Sequence, residues 1–224
     1  MIYLEEKKLA YVPIPKNACT TIKHSLYRLQ NNREFQRFQA GHRTFYIHTV
    51  MNSKTYEHWS SMGIINEIRK SDTFIFTVVR NPLSRLLSGY KNRVLFHNDI
   101  GKDARAYEKC KKAGLPEKPD INTFVENLSF YQKNCPSILH HTQPQVTFLG
   151  HDPNFYSKIY PINKINSELW VDLSKIAGET IPVPPKKLQT GGSNLSIDEL
   201  TSENIAYIED LYAADYKFLE GIII

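Results

Sequence analysis

Three cysteines in 224 residues, Cys19, Cys110 and Cys135, are too few and too irregularly spaced to form a disulfide framework. Their scarcity excludes a cysteine-stapled scaffold and points to a reducing compartment. A Cys110–Cys135 bridge is left open by the spacing, and Cys19 reads as a small packing residue. No apolar run reaches membrane-spanning length, and no charged-then-apolar leader opens the chain, which as given reads as soluble and cytoplasmic. Basic residues never mass in one block. The net charge of +5 is spread along the chain, which favours anionic ligands weakly and argues against a nucleic-acid surface. Metal-ligand spacing is missing as well: His140 and His141 are adjacent and project to different faces of any regular element. No metal is expected. Repeats and low-complexity tracts are absent, and oligomeric state leaves no mark.

What is present is an ordinary globular composition, 41% apolar and 23% charged, long enough for a full core in one domain over residues 1–224. The apolar runs Leu9–Ile14, Thr44–Val50 and Thr73–Val79 read as strands, each followed by a segment of helical character. A fourth strand, Lys158–Ile162, precedes a helix from about Ser167 to Ala177, with Asn166 as N-cap and Gly178 just past its end. Alternating strands and helices predict an α/β domain, a central mainly parallel sheet flanked by helices. Arg93–Pro119 is charged and weakly periodic and reads as a surface excursion. Asn122–Tyr131 reads as a short capped helix and Pro182–Asn194 as a loop. A last helix from about Thr201 to Glu220 carries Ile205, Ile208, Leu211 and Tyr212 on one face.

Two segments carry chemistry. The first, Tyr11-Val-Pro-Ile-Pro-Lys-Asn-Ala-Cys-Thr-Thr-Ile-Lys23, reads as strand, turn and helix. Exposed amides at a helix start, with a lysine at the mouth, make an anion site. A nucleotide P-loop would read G-x-x-x-x-G-K-[ST]; here both glycines are missing and Lys16 precedes the turn. The second, Phe74-Ile-Phe-Thr-Val-Val-Arg-Asn-Pro-Leu-Ser-Arg-Leu-Leu-Ser-Gly-Tyr90, has the same plan, with Asn81 suited to N-cap and Pro82 to the first helical position. Leu83, Leu86, Leu87 and Tyr90 form a stripe expected to face the sheet, leaving Arg85 and Ser88 on another face. Arg80 falls at the C-terminal end of its strand, where open α/β sheets bind ligands. Lys16, Thr20 and Thr21 from one unit, and Arg80 and Ser88 from the next, suggest a ligand with two separated phosphates.

PKNACTT and VVRNPLSRLLSGY closely resemble the two signature segments of sulfotransferases that use 3′-phosphoadenosine 5′-phosphosulfate. The first is similar to the family's 5′-phosphosulfate loop, the second to its 3′-phosphate motif, R-x-P-x-x-R-x-x-S-x-Y. Leu139-His-His-Thr-Gln-Pro-Gln145 looks like an H-x-x-P-Q element of the carbohydrate sulfotransferases. The resemblance spans most of the chain, although Arg93–Pro119 has no assigned counterpart and Asn81 stands where Asp is frequent. It implies a P-loop-like fold and a carbohydrate hydroxyl as acceptor. Lys16 would contact the phosphosulfate, including the bridging oxygen. The amides of Asn17, Ala18, Cys19 and Thr20, with the Thr20 and Thr21 hydroxyls, would hold the 5′-phosphate. Arg80 and Ser88 would bind the 3′-phosphate.

Sulfuryl transfer is dominated by positioning and electrostatics, and the acceptor hydroxyl needs a base. His48 is the first choice, expected near the end of the Thr44–Val50 strand and titrating in a suitable range. A hydrogen-bonded histidine without chemistry is the competing reading, and His42, His141 and Glu67 are fallback candidates. Lys186, Lys187, Thr190 and Ser193 form either a lid over the nucleotide or a solvated loop. A P-loop kinase is disfavoured by the missing Walker lysine and magnesium-binding acid. A polyanion-binding module without catalysis, or transfer to a non-carbohydrate hydroxyl, stays open.

Overall fold

A four-stranded mixed sheet runs in the order β1-β2-β5-β6, built from β1 (Ile2–Leu4), β2 (Leu9–Val12), β5 (Phe74–Val79) and β6 (Lys158–Pro161); β3 (Phe38–Ala40) and β4 (Arg43–Phe45) form a separate hairpin. The computed structural model describes residues 1–52, 55–183 and 195–222, so Lys186, Lys187, Thr190 and Ser193 lie outside the described residues. β2, β5 and β6 are parallel and β1 is an antiparallel edge, with Val12 opposite Thr77 and Val79 opposite Pro161. The expected α/β architecture, a mostly parallel sheet flanked by helices, is what forms.

Period-two alternation explains why this sheet needs cover on both faces. Leu9, Tyr11, Phe76 and Val78 point to one face and are buried with Ile22, Leu26 and Leu29 of the helix Cys19–Asn31 and with Trp170 and Leu173 of the helix Trp170–Ala177. Ala10, Val12, Ile75 and Val79 point to the other, with Trp59, Ile65 and Ile68 from the helices Tyr56–Ser61 and Ile64–Lys70. Each fully buried aliphatic or aromatic side chain contributes about 1.5–3 kcal/mol, so the sheet is secured from both sides. Ile22, Leu26 and Leu29 fall at i, i+4 and i+7, which is why this stretch is a helix with one apolar stripe.

The chain gathers into two compact units. One takes Met1–Arg80 and the described parts of Gln145–Lys187 and Phe218–Ile224, and contains the sheet; the other takes Asn81–Pro144 and the described part of Leu188–Lys217. The second is helical. The helix Pro82–Tyr90 starts as the sequence predicts, with Asn81 Oδ1 accepting from the Ser84 amide at 3.1 Å and Pro82 at the first position. Its stripe of Leu83, Leu86, Leu87 and Tyr90 lies in the helical core of the second unit, beside Phe124, Leu128, Tyr131 and Ile208, and not in either cluster that covers the sheet.

Four other expectations are corrected. Thr44–Val50 is not one strand: β4 stops at Phe45, and Ile47–Val50 is a single helical turn. Short apolar runs do not distinguish strand from helix by periodicity. Asn166 lies inside a π-helical turn, Ile165–Leu169, and does not cap the helix that follows, although Gly178 does end it with φ 70°. The terminal helix breaks into Ser202–Leu211, capped by Thr201, and Ala213–Phe218. Arg93–Pro119 is no mere excursion, because it supplies Val94, Ile100, Ala106 and Cys110 to the second core.

Candidate active site

Beyond the end of β2 the chain makes a tight turn through Pro13, Ile14 and Pro15, all buried, and enters the helix Cys19–Asn31. The turn is made without glycine: Lys16 at φ 72° and Ala18 at φ 58° are both left-handed. Between them the Asn17 amide donates to the Ile14 carbonyl at 3.3 Å. Non-glycine residues in this region cost about 1–3 kcal/mol each and persist only where the surroundings over-determine them.

Asn17 supplies that determination. It is fully buried, and its Nδ2 donates to the Val78 carbonyl at 3.0 Å and to Gln145 Oε1 at 2.7 Å. The loop is thereby pinned to the end of β5. Ile22 N–H is the first amide to reach back into the helix, to the Ala18 carbonyl at 3.1 Å. The amides of Cys19, Thr20 and Thr21 therefore have no intrahelical acceptor. No side chain caps this end and no acidic residue occupies its first turn, so its positive partial charge is left for an anion.

Arg80 follows the last residue of β5 and is half-buried, its Nη1 donating to the Lys16 carbonyl at 3.4 Å. The structure thus brings Lys16, Asn17, Ala18, Cys19, Thr20, Thr21 and Arg80 together at one end of the sheet. Thr20 is exposed, and its Oγ1 lies 3.0 Å from Nε2 of His48. His48 is exposed on the Ile47–Val50 turn, not at a strand end, yet the hydroxyl of Thr20 ties it to the helix start. Burial pushes the Cys19 thiol up, against the opposing pull of Lys23 and Lys16, so it is held as a neutral packing group. Burial also pushes the Lys23 ammonium down, with Cys19 pulling it the other way.

The remaining sequence candidates belong to other elements. Ser88 is half-buried in the helix Pro82–Tyr90, within the second unit. Arg85 shares that helix, but it is fully buried and donates from Nη1 to the Gln143 carbonyl at 2.7 Å, so it is built into the second unit's interior. His141 also belongs to the second unit and donates from Nδ1 to the Ser137 carbonyl at 2.7 Å. His42 is exposed at the tip of the β3–β4 hairpin, and Glu67 is exposed on the helix Ile64–Lys70. Among the described residues, no three His, Cys, Asp or Glu side chains gather as metal ligands. No helix of the described residues is long and apolar enough to cross a membrane.

One residue of this region escaped the sequence reading. Gln145 is fully buried and hydrogen-bonds Asn17 and both backbone groups of Arg80. The only sequence signal was its place at the end of the H-x-x-P-Q segment, to which no role was attached.

These residues suit a phosphorylated ligand: an uncapped helix start, a lysine in the turn before it and an arginine beside both. The Sulfotransferase family model matches residues 1–220. The chain is 28% identical over 167 residues to carbohydrate sulfotransferase 11 of Rattus norvegicus, covering 70% of this chain and 44% of the relative, and the Mus musculus protein of the same name matches equally. The chain thus spans less than half the length of the curated relatives it matches. No solved structure matches it. With nearly every residue inside the family match, the chain belongs to the sulfotransferase family.

Proposed function

We propose that this protein transfers a sulfuryl group from 3′-phosphoadenosine 5′-phosphosulfate to a hydroxyl of a carbohydrate acceptor. The observation that carries the reading is the uncapped start of the helix Cys19–Asn31, entered through a left-handed Lys16 whose carbonyl receives the Arg80 guanidinium. The names of the two relatives support a carbohydrate as acceptor.

In this reading the amides of Ala18, Cys19 and Thr20, with the Thr20 and Thr21 hydroxyls, hold the 5′-phosphate, the Asn17 amide being given to the Ile14 carbonyl. The Lys16 ammonium faces the bridging oxygen. Arg80 takes the 3′-phosphate, and the motif resemblance gives Ser88 the same role. The acceptor oxygen attacks sulfur in line with the bridging oxygen. One S–O bond forms as the other breaks, the electron pair passes to the bridging oxygen, and the acceptor's proton passes to His48. Lys16 contributes by placing positive charge where negative charge develops, and in a preorganised site one such contact accounts for about 10²–10³ in rate. His48, oriented by Thr20, needs only to accept one proton near neutral pH.

The reading is tested by radiolabelled sulfuryl transfer to a panel of glycan acceptors, with calorimetry of 3′-phosphoadenosine 5′-phosphate and adenosine 5′-phosphate alongside. Lys16→Gly keeps the left-handed turn and removes the side chain with its ammonium, so turnover should fall about 10²–10³-fold. Arg80→Ala should weaken 3′-phosphoadenosine 5′-phosphate and leave adenosine 5′-phosphate unchanged. Equal affinity of the native chain for the two nucleotides would refute the 3′-phosphate assignment. Tight binding with no transfer to any acceptor would make the protein an anion-binding module instead.

A further inference from the structure

Gln145 and Asn17 face each other in a fully buried position. Gln145 Oε1 accepts from Asn17 Nδ2 at 2.7 Å and from the Arg80 amide at 3.2 Å, while its Nε2 donates to the Arg80 carbonyl at 2.8 Å. Asn17 Nδ2 donates a second time, to the Val78 carbonyl at 3.0 Å. The orientation of both carboxamides follows from the backbone alone. An amide can only donate and a carbonyl can only accept, so Arg80 dictates which end of Gln145 is oxygen. Gln145 in turn dictates which end of Asn17 is nitrogen.

The place of these bonds in the sheet gives them meaning. The pairing of β5 with β2 ends at Thr77, and its pairing with β6 ends at Val79, opposite Pro161, which has no N–H to offer. Val78 O therefore lies past the last rung to β2, and both backbone groups of Arg80 lie past the last rungs to either neighbour. Two side-chain amides take the rungs' place, with Gln145 pairing N–H and C=O of Arg80 as a neighbouring strand would. Its partners are 65 and 128 residues away in sequence. Lys16 and Arg80 thus depend on one buried hydrogen-bond network: Asn17 is the residue next to Lys16, and the Lys16 carbonyl receives Arg80 Nη1.

We infer that Gln145, acting through Asn17, is a positioning residue that sets the separation of Lys16 and Arg80. Resting on the reading above, it thereby matches the site to a donor whose two phosphate ends those residues hold. Removing the clamp relaxes Arg80 at the strand end and the left-handed turn together, while every ligand-touching side chain remains present. The effect falls on the donor and not on the acceptor.

Gln145→Met preserves length and approximate volume and deletes these three bonds; Gln145→Glu keeps the two acceptor contacts but sets a second carboxylate oxygen against the Arg80 carbonyl in a fully buried position. Calorimetry with 3′-phosphoadenosine 5′-phosphate, well below the melting temperature, should show affinity falling at least about tenfold in both Gln145→Met and Gln145→Glu, as expected when buried polar partners are left unsatisfied or opposed. Leu173→Ala, a core change expected to lower the melting temperature comparably, should stay within about twofold of native affinity. Native affinity in Gln145→Met, or an equal loss in Leu173→Ala, overturns the inference. Hydrogen exchange supplies a readout that needs no ligand: the Arg80 amide should exchange at least about tenfold faster in Gln145→Met, with amides of the helix Trp170–Ala177 unchanged. If the native chain fails to bind the nucleotide, the donor reading falls and exchange alone decides the clamp. An unchanged Arg80 amide then refutes it.

Discussion

Ala18 offers the sharpest test of the loop's geometry, because its backbone sits at φ 58°, ψ 18° immediately before the helix Cys19–Asn31. For an L-residue with a Cβ the left-handed conformation costs about 1–2 kcal/mol. Glycine escapes that cost, but the unfolded chain gains freedom worth about 0.4–1 kcal/mol. Glycine also gives up the methyl that packs, half-buried, against the sheet-face core, a fraction of the ~0.8 kcal/mol of a fully buried group. The net expectation for Ala18→Gly is stabilisation of about 0.5 kcal/mol or near neutrality. Ala18→Val takes the opposite course, since a β-branched side chain is an outlier at positive φ, and should cost ~1–2 kcal/mol more than alanine does. Urea unfolding should therefore rank glycine at or above alanine and valine lowest. The span of about 2 kcal/mol corresponds to roughly 4–8 °C in melting temperature for a chain of this size. A right-handed residue within the helix would instead put alanine first and glycine last, about 1 kcal/mol below alanine. That ranking would refute the left-handed turn, and with it the explanation of how this loop dispenses with glycine.

Other outcomes follow from single contacts. Thr20→Val removes the hydroxyl 3.0 Å from His48 Nε2 without changing shape; sulfuryl transfer should slow about tenfold or more and its acid limb should shift, with Thr20→Ser largely restored. An unaltered pH profile would detach His48 from proton transfer. Asp120 caps the helix Ile121–Glu126, accepting from the Thr123 amide at 2.9 Å and from its hydroxyl at 3.0 Å, and these bonds, the amide's foremost, hold its carboxyl below the usual range. A depressed pKa contributes stability that is complete above the ordinary carboxylate value and is lost as pH falls through the folded one. Asp120→Ala should therefore cost about 1 kcal/mol near neutrality. Chemical denaturation of the two proteins should converge below about pH 4, and a pH-independent difference would contradict the capping argument.

The two signature segments were readable because each is local. Tyr11–Lys23 and Phe74–Tyr90 hold their strand, turn and helix start within one continuous stretch, and Asn81 and Pro82 declare the second helix by their own chemistry. The parallel strands were readable for a similar reason. Runs such as Phe74–Val79 are buried on both faces and show it as unbroken apolar sequence. His48 lay beyond that reach. Thr44–Val50 is too short to show its period, and Tyr46 alone separates the hairpin from a helical turn. The stripe from Leu83 to Tyr90 could be recognised as a face, but not its destination, since every apolar core attracts such a stripe with the same affinity per unit area. Arg85 shows the same limit: its sequence position sets it off the apolar stripe, and only the fold shows it fully buried with Nη1 donating to the Gln143 carbonyl.

Sequence by itself determined which residues can carry the proposed chemistry, because charge, hydroxyls and helix-start amides belong to residues and their immediate neighbours. Only the tertiary structure decided how those residues are held. Asn17 meets Gln145 across 128 residues, and Arg80 meets it across 65, through hydrogen bonds that no local pattern encodes. The physical reason is one of range. Propensity and capping act over a few residues of chain, whereas the satisfaction of a buried polar group depends on whichever segment the fold brings alongside it.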